Sequence, residues 1–412
     1  MNAAGFAPSR ETTAEGRRWR CCAGAAIVNS RGQLLVGERI KIAGAWNCPQ
    51  GGIDAAAPAD PTRPETALEA AAREAFEEVG LSLGKHIVPL AAMADEAAVR
   101  YEVAGGWMAK EGLAGQQMHW VLFQCCDPLG DADASAMCDL KGHGGEEAEF
   151  TDVRWQAFDE VVAGMWPPKR GPYEALRQWA EPLLAERATA ADSVDFAGRW
   201  ARDASQNVNV ASALEARGVE KARAEREASM PYVQKWARKE ASSSSPAAEW
   251  TVTTFAADGT TPRRSLDYVV GEWEETFEGG ATIFGPGNGT LRRRTSWMPL
   301  PEADGSEADG SAADRAAAKK AAAERCTEAL SPIEPSRLAH VTWTRRVDIE
   351  GTGREVSMRF IRGGQLVLRR FYLPPAADGT APSAPVVCEE VFRREPEEGL
   401  DTGTSKRQRT AM

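Results

Sequence analysis

Glu74, Glu77 and Glu78 stand at i, i+3 and i+4, a spacing that gathers three carboxylates on one face of a helix. Like charges so placed destabilise an isolated helix by roughly a few tenths of a kcal/mol per pair. A hard divalent cation offsets that repulsion, because Mg2+ and Mn2+ take oxygen ligands: a few carboxylates, waters and substrate phosphates. Arg73 lies eight residues after Glu65 and four before Glu77, so it can pair with a glutamate and hold the cluster in register. Three glutamates by themselves read most simply as a solvated acidic face. Their setting is what separates them from one.

The element that must carry them is a helix over 62–80, of sequence TRPETALEAAAREAFEEVG. Thr62 and Glu65 form a capping-box pair with Pro64 in the first turn, and Gly80 is a C-terminal stop. Leu68, Ala71, Ala72, Ala75 and Val79 share the opposite face, which must pack on a sheet. Strands and helices alternate around it. Residues 25–28 and 33–36 read as a hairpin about 29–32, residues 118–126 as a strand, and 173–187 as a helix.

With Gly51 and Leu81 added, the segment resembles the signature box of the Nudix hydrolases: Gly51, Glu65, seven residues, then Arg73-Glu74-x-x-Glu77-Glu78-x-Gly80-Leu81. Thirteen residues separate Gly51 from Glu65 where that family has five, and Ala75 stands where a larger aliphatic residue is usual. The resemblance continues outside the box. WNCPQGGI at 46–53, GQQMHW at 115–120, EFTDVRW at 149–155 and KRGPY at 169–173 are similar, in order, to segments of bacterial RNA pyrophosphohydrolases and plant-type diadenosine tetraphosphate hydrolases. It implies an α/β/α sandwich with a mixed sheet over 18–187. It also implies Mg2+ or Mn2+ held by Glu74, Glu77, Glu78, Glu149 and the Gly51 carbonyl, with Arg73, Glu77, Glu78 and Glu149 as the catalytic set. Glu78 and Glu149 are alternative bases for the attacking water. Gly52, Glu65 and Gly80 shape the motif.

Arg39, Lys41, Gln50, Gln116, Lys169, Arg170 and Tyr173 are the implied substrate contacts. For Arg39 and Lys41 solvated surface is an equal reading, and for Tyr173 helix packing is. Trp46 reads as core. His119 replaces a common lysine, which weakens phosphate binding at neutral pH. The implied substrate is a nucleoside polyphosphate. Asymmetric cleavage of a dinucleoside tetraphosphate to NTP and NMP is placed ahead of RNA 5′ pyrophosphate removal, because the chain carries a net charge of −11 and RNA binding draws on basic surface.

A composition shift at 188–194 marks a linker, and FAGRW at 196–200 opens a second unit. Helices near 207–218 and 219–238 precede strands at 249–255, 266–277, 289–298, 338–348, 355–361, 364–373 and 385–394. This order is similar to the fatty-acid-binding branch of the calycin barrels, which implies an antiparallel β-barrel over 195–395 with a helical pair near its start and a small ligand, hydrophobic or other, inside. The whole chain is thus expected to be α+β. Glu390-Val391-Phe392 stands where that branch has an Arg-x-Tyr for the ligand's carboxylate. An inserted excursion at 301–330, a flexible start at 1–17 and a disordered tail at 396–412 complete the expected organisation.

The chain has 412 residues and is 43% hydrophobic and 26% charged, the balance of a soluble globular protein of two or three domains. No run approaches the roughly 18 apolar residues of a membrane helix, and no apolar leader opens the chain. The eight cysteines include no CxxC, so reduced thiols and no zinc site are expected. A monomer in the cytoplasm follows, with a nucleus as the alternative suggested by the basic residues at 405–409.

Overall fold

The computed structural model describes residues 9–57, 60–103, 105–190, 194–239, 249–277, 284–301, 337–375 and 384–396. The chain divides into two compact units, Met1–Ser193 with Trp297–Ala339, and Val194–Ser296 with His340–Met412.

The first unit contains β1 (Glu11–Ala14), β2 (Arg17–Val28), β3 (Leu34–Arg39), β4 (Trp46–Asn47), β5 (Gln50–Gly52), α1 (Ala67–Val79), β6 (Ile87–Ala92), β7 (Val99–Glu102), α2 (Gly106–Lys110), β8 (Leu113–Cys125), α3 (Pro128–Ala132), β9 (Phe150–Gln156), α4 (Phe158–Gly164) and α5 (Pro167–Ala190). Its sheet runs β4-β3-β2-β8-β6, with β1 and β5 also on β2, β7 on β8 and β9 on β3. The β2–β8 pairing is parallel and the others are antiparallel, so the sheet is mixed.

Alternation along β2 builds two cores. Cys21, Ala23, Ala25 and Ile27 face α1 with Val121 and Phe123, whereas Cys22, Ala26 and Val28 face α4 and α5 with Trp120 and Tyr173. A β2 this apolar on both sides must be covered on both sides. The start of the chain is less loose than expected, because Glu11–Ala14 pairs with β2. The helix expected at 173–187 begins at Pro167, in a first turn where proline lacks nothing a helix needs.

The second unit contains, but for the last residues of β15 and the first of β16, β10 (Gly198–Arg202), α6 (Val210–Ala216), α7 (Lys221–Ser229), β11 (Val233–Lys239), β12 (Glu249–Phe255), β13 (Pro262–Val269), β14 (Gly271–Phe277), β15 (Gly289–Pro299), β16 (Leu338–Arg346), β17 (Arg354–Arg362), β18 (Gln365–Leu373) and β19 (Val386–Arg394). They form one ten-stranded path, β13-β12-β11-β10-β19-β18-β17-β16-β15-β14. Its two end strands are consecutive in the chain, and an Arg264–Glu275 ion pair joins them. The sheet therefore curls toward closure, with no backbone ladder between β13 and β14 among the described residues. The whole is α+β.

Two expected elements differ. The helix at 219–238 ends at Ser229, because Pro231 cannot continue it, and 233–239 is a strand. The strand at 266–277 is two strands that part at Val270. The excursion at 301–330 and the tail from 396 lie, but for their first residues, outside the described residues.

Under α6, beside Cys388 on the same face of β19, Glu390 is 3% exposed. Its Oε2 lies 2.9 Å from Arg202 Nε and accepts from the Tyr232 hydroxyl at 2.8 Å, while Oε1 pairs with Arg370. Glu355 pairs in turn with Arg217 and Arg370. Burial pushes both carboxyls up, but the arginines outweigh it and hold both below the ordinary value. Carboxylates depressed in the folded state stabilise it above their unfolded pKa and lose that contribution as pH falls through the folded one. The second unit should therefore lose stability on acidification from about pH 4.5, the ordinary glutamate value. Glu390→Gln, which takes a carboxylate from both Arg202 and Arg370, should cost about 3–5 kcal/mol in denaturant titrations at pH 7 and flatten the acid limb. An acid limb as steep as in the parent would refute the assignment.

Candidate active site

The acidic helix begins four residues later than its sequence predicts. The N-cap is Thr66, whose Oγ1 accepts from Glu69 N at 3.2 Å while the Glu69 carboxylate accepts from Thr66 N at 2.9 Å. Thr62 instead turns onto Asp60, its Oγ1 donating at 2.6 Å. Glu65 is drawn away from capping by stronger partners: it accepts from Asp54 N at 3.0 Å and from Arg73. Glu65 N returns a bond to the Asp54 carbonyl at 3.1 Å, and Ala57 N bonds the Arg63 carbonyl at 2.8 Å. The extra residues before Glu65 thus leave through a closed neck, and the helix starts from a fixed point. Gly80 ends it in the left-handed conformation, φ 72°, as expected.

Arg73 organises the cluster. Its Nε donates to Glu65 Oε1 at 2.9 Å. Nη1 donates to Glu74 Oε1 at 2.7 Å and to Glu77 Oε2 at 2.9 Å, and Nη2 to the Gly52 carbonyl at 2.7 Å and to Glu65 Oε2 at 2.9 Å. All five guanidinium N–H groups are used. Glu74 presses on β5 so closely that a Cβ at Gly51 would lie 2.2 Å from its Oε1. Glu78 accepts from Gln50 N at 3.1 Å and reaches hydrogen-bonding range of Glu149.

Glu149 arrives from far along the chain because its loop is pinned to α1: Asp139 N bonds the Val79 carbonyl at 3.0 Å and His143 N the Glu77 carbonyl at 2.9 Å. The His143 ring lies 5.2 Å from that of Phe76. Arg39 Nη1 is 2.8 Å from Glu149 Oε2. Sequence reasoning missed His143 and Asp139, which act through backbone groups and leave no signal in residue type.

Burial raises the pKa of two of these acids. Burial lifts Glu74 to about 7, with Glu77 adding to the rise and Arg73 opposing it. Burial, then Glu149 and Glu74, hold Glu78 well above the carboxylate range. Lys169 is half-buried and donates to Asn47 Oδ1 at 3.4 Å; its withdrawal from water and the neighbouring Arg39 push it down to about 8. Gly51, Glu74, Glu77, Glu78 and Glu149 supply the oxygen donors a hard cation takes, although among the described residues no three acidic, histidine or cysteine side chains converge on one point.

The other expected contacts divide. Gln50 is at the site. Its side-chain Oε1 is buried and finds no donor among the described residues. Gln116 accepts from the Tyr101 hydroxyl. Lys41 is exposed in a left-handed turn, φ 68°, and Arg170 is exposed on the first turn of α5. Tyr173 is a packing residue: it is buried, its ring meets Trp120, and its hydroxyl accepts from Cys48 N at 2.9 Å. Trp46 is half-buried under the Arg154 guanidinium, 3.8 Å from the ring centre. His119 is fully buried between Asp95 and Gln117, and burial lowers its pKa, so it is a neutral interior group and not a weakened phosphate ligand.

Residues 19–176 match the family model described as the NUDIX domain. An RNA pyrophosphohydrolase of Azorhizobium caulinodans is 31% identical over 177 residues, which are 40% of this chain and 94% of that protein. The chain belongs to the Nudix family. Another RNA pyrophosphohydrolase, from Erythrobacter litoralis, is 34% identical over 172 residues, 39% of this chain and 90% of the relative. Among solved structures, the fluorescent protein UnaG is similar at 14% identity and a TM-score of 0.28, over 48% of this chain and 97% of that one. As a Nudix hydrolase the protein cleaves pyrophosphate bonds of nucleoside polyphosphates.

Two substitutions separate site from scaffold in this Nudix domain. Gly51→Ala must displace the Glu74 carboxylate, and kcat/KM should fall about a hundredfold. Tyr173→Phe leaves the Cys48 N–H without its acceptor and should cost about 1–3 kcal/mol of stability with KM unchanged. A raised KM would return Tyr173 to the substrate.

Proposed function

We propose that the protein removes pyrophosphate from triphosphorylated 5′ ends of RNA with the help of Mg2+ or Mn2+. The observation that carries the hydrolytic reading is the acidic cluster about Gly51, in which burial first, and then neighbouring carboxylates, keep Glu74 and Glu78 above their ordinary pKa. The RNA end is favoured by the curated relatives, which are RNA pyrophosphohydrolases matched over nine-tenths or more of their length. That reverses the order expected from charge, in which dinucleoside tetraphosphate cleavage stood first. The net charge of −11 belongs to the whole chain, and a single 5′ end needs only local cations such as Arg39 and Lys169. Dinucleoside tetraphosphate remains the second reading, favoured by that acidity.

In this reading Glu74, Glu77, Glu78, Glu149 and the Gly51 carbonyl hold the cation. When bound, it neutralises phosphate charge and lowers the pKa of a coordinated water. Arg73 fixes the directions of Glu74 and Glu77 before substrate arrives, so that no reorganisation accompanies the reaction. Glu78 and Glu149, which share hydrogen-bonding range, are placed to take the proton of a water attacking phosphorus. Arg39 and Lys169 face the same carboxylates and supply the positive charge that meets the phosphates.

The test offers triphosphorylated RNA and diadenosine tetraphosphate in parallel, with either cation. RNA is expected to lose pyrophosphate with the higher kcat/KM, and chelation with EDTA should abolish turnover of both. Glu77→Gln and Glu78→Gln should each lower kcat by about two orders of magnitude or more. Faster cleavage of the dinucleotide would restore the order read from charge. Full activity of Glu77→Gln would sink the mechanism.

A further inference from the structure

On the α5 side of the sheet, where the β2 register places Cys22 beside Gly52, the next inward residue of β2 is Arg20. Its guanidinium lies against the glycine pair of the site: a Cβ at Gly52 would be 2.4 Å from Arg20 Nη2. The same guanidinium sits 5.4 Å from the ring centre of Trp107, a tryptophan that is 51% exposed. About half of the indole is thus left open for a flat ligand to cover. Trp107 is also held out deliberately. It follows Gly105 and Gly106, both at positive φ, on the single-turn α2, and Arg18 Nη1 ties the end of that turn through the Glu111 carbonyl at 3.0 Å.

The groups beside Arg20 are polar. Gln116 pairs with Arg20 in the β2–β8 register, and the Tyr101 hydroxyl donates to it. The buried Gln50 Oε1 lacks a donor among the described residues, which is costly unless a ligand supplies one. An exposed indole backed by a guanidinium, with amide groups alongside, is what a flat heteroaromatic ring bearing N–H donors would stack on and bond to. The substrate of a pyrophosphatase of this class carries such a ring one sugar away from its phosphates.

We propose that Trp107, backed by Arg20, is the platform on which the substrate's nucleobase stacks, and so a specificity-determining residue of this site. The proposal rests on the nucleotide reading above for the identity of the ring. The ring is shared by an RNA 5′ nucleotide and a dinucleoside polyphosphate, so both belong in the test. Stacking on an aromatic side chain predicts a rise in KM of about tenfold or more for Trp107→Ala, with kcat within about twofold. Trp107→Phe should recover most of the loss.

Inorganic tripolyphosphate, which has the phosphates and no base, should inhibit the parent and Trp107→Ala equally. A Trp107→Ala enzyme with the parental KM for both substrates overturns the proposal. So does equal weakening of tripolyphosphate, which would make the ring a mere support for the cleft. A KM change for one substrate alone upholds the platform and names the source of its ring. If the parent hydrolyses neither substrate, the hydrolytic reading fails separately. Calorimetric binding of a methylene-bridged ATP analogue then decides: weaker binding by Trp107→Ala upholds the platform, and equal binding or none overturns it.

Discussion

The site depends on a single guanidinium being spent completely. Arg73 gives all five of its N–H groups to four residues: Glu65, Glu74, Glu77 and the Gly52 carbonyl. One end of this network is the loop before α1, the middle is α1 itself, and the far end is the strand that carries Gly51. A lysine could not do this, since an ammonium has three donors and no planar fork. Charge-assisted bonds at 2.7–2.9 Å between partly buried partners are the strong kind. Through them, the position of the acids becomes a property of the backbone and no longer of flexible side chains.

That anchoring explains how the chain tolerates its long connection into α1. A loop gains little entropy penalty from extra residues if its ends are fixed, and here the ends are fixed by Glu65 and Asp54 bonding each other. The same logic brings in Glu149. The segment before it has no regular structure, yet two backbone bonds to the last turn of α1 hold it there. Those bonds use carbonyls that any helix terminus leaves unsatisfied, so the chain brings Glu149 to Glu78 with groups that needed partners anyway.

Much of the site was legible in the sequence, because its chemistry requires particular side chains at fixed spacing along one helix. Arg73 pairs with Glu74 and Glu77, Glu74 lies against Gly51, and Gly80 ends the helix, as the spacing implies. The failures are places where tertiary partners outbid local preference. Thr62 and Glu65 have the pattern of a cap, but Arg73 takes Glu65 and the cap moves to Thr66. Tyr173 has the chemistry of a ligand contact, but α5 turns it into the core. In the second unit, Pro231 and the buried Trp236 marked the end of a helix and a strand, and the helix-forming run before them obscured both. The order of the strands in either sheet had no signature in residue type at all.

The two acidic clusters of the chain show why partners, and not residue identity, separate structure from function. Glu390 is buried and Glu355 half-buried, and each is met by two arginines that hold it ionised. Such a network needs nothing further and serves the fold. Glu74 and Glu78 are buried too, but Arg73 is shared among three carboxylates and Glu78 faces another acid. Their raised pKa values mean that ionising both costs the folded state stability. A chain selected only to fold would remove that cost with one hydrophobic substitution. In the proposed reading a divalent cation bound beside Gly51 would supply the positive charge that offsets this cost at Glu74 and Glu78.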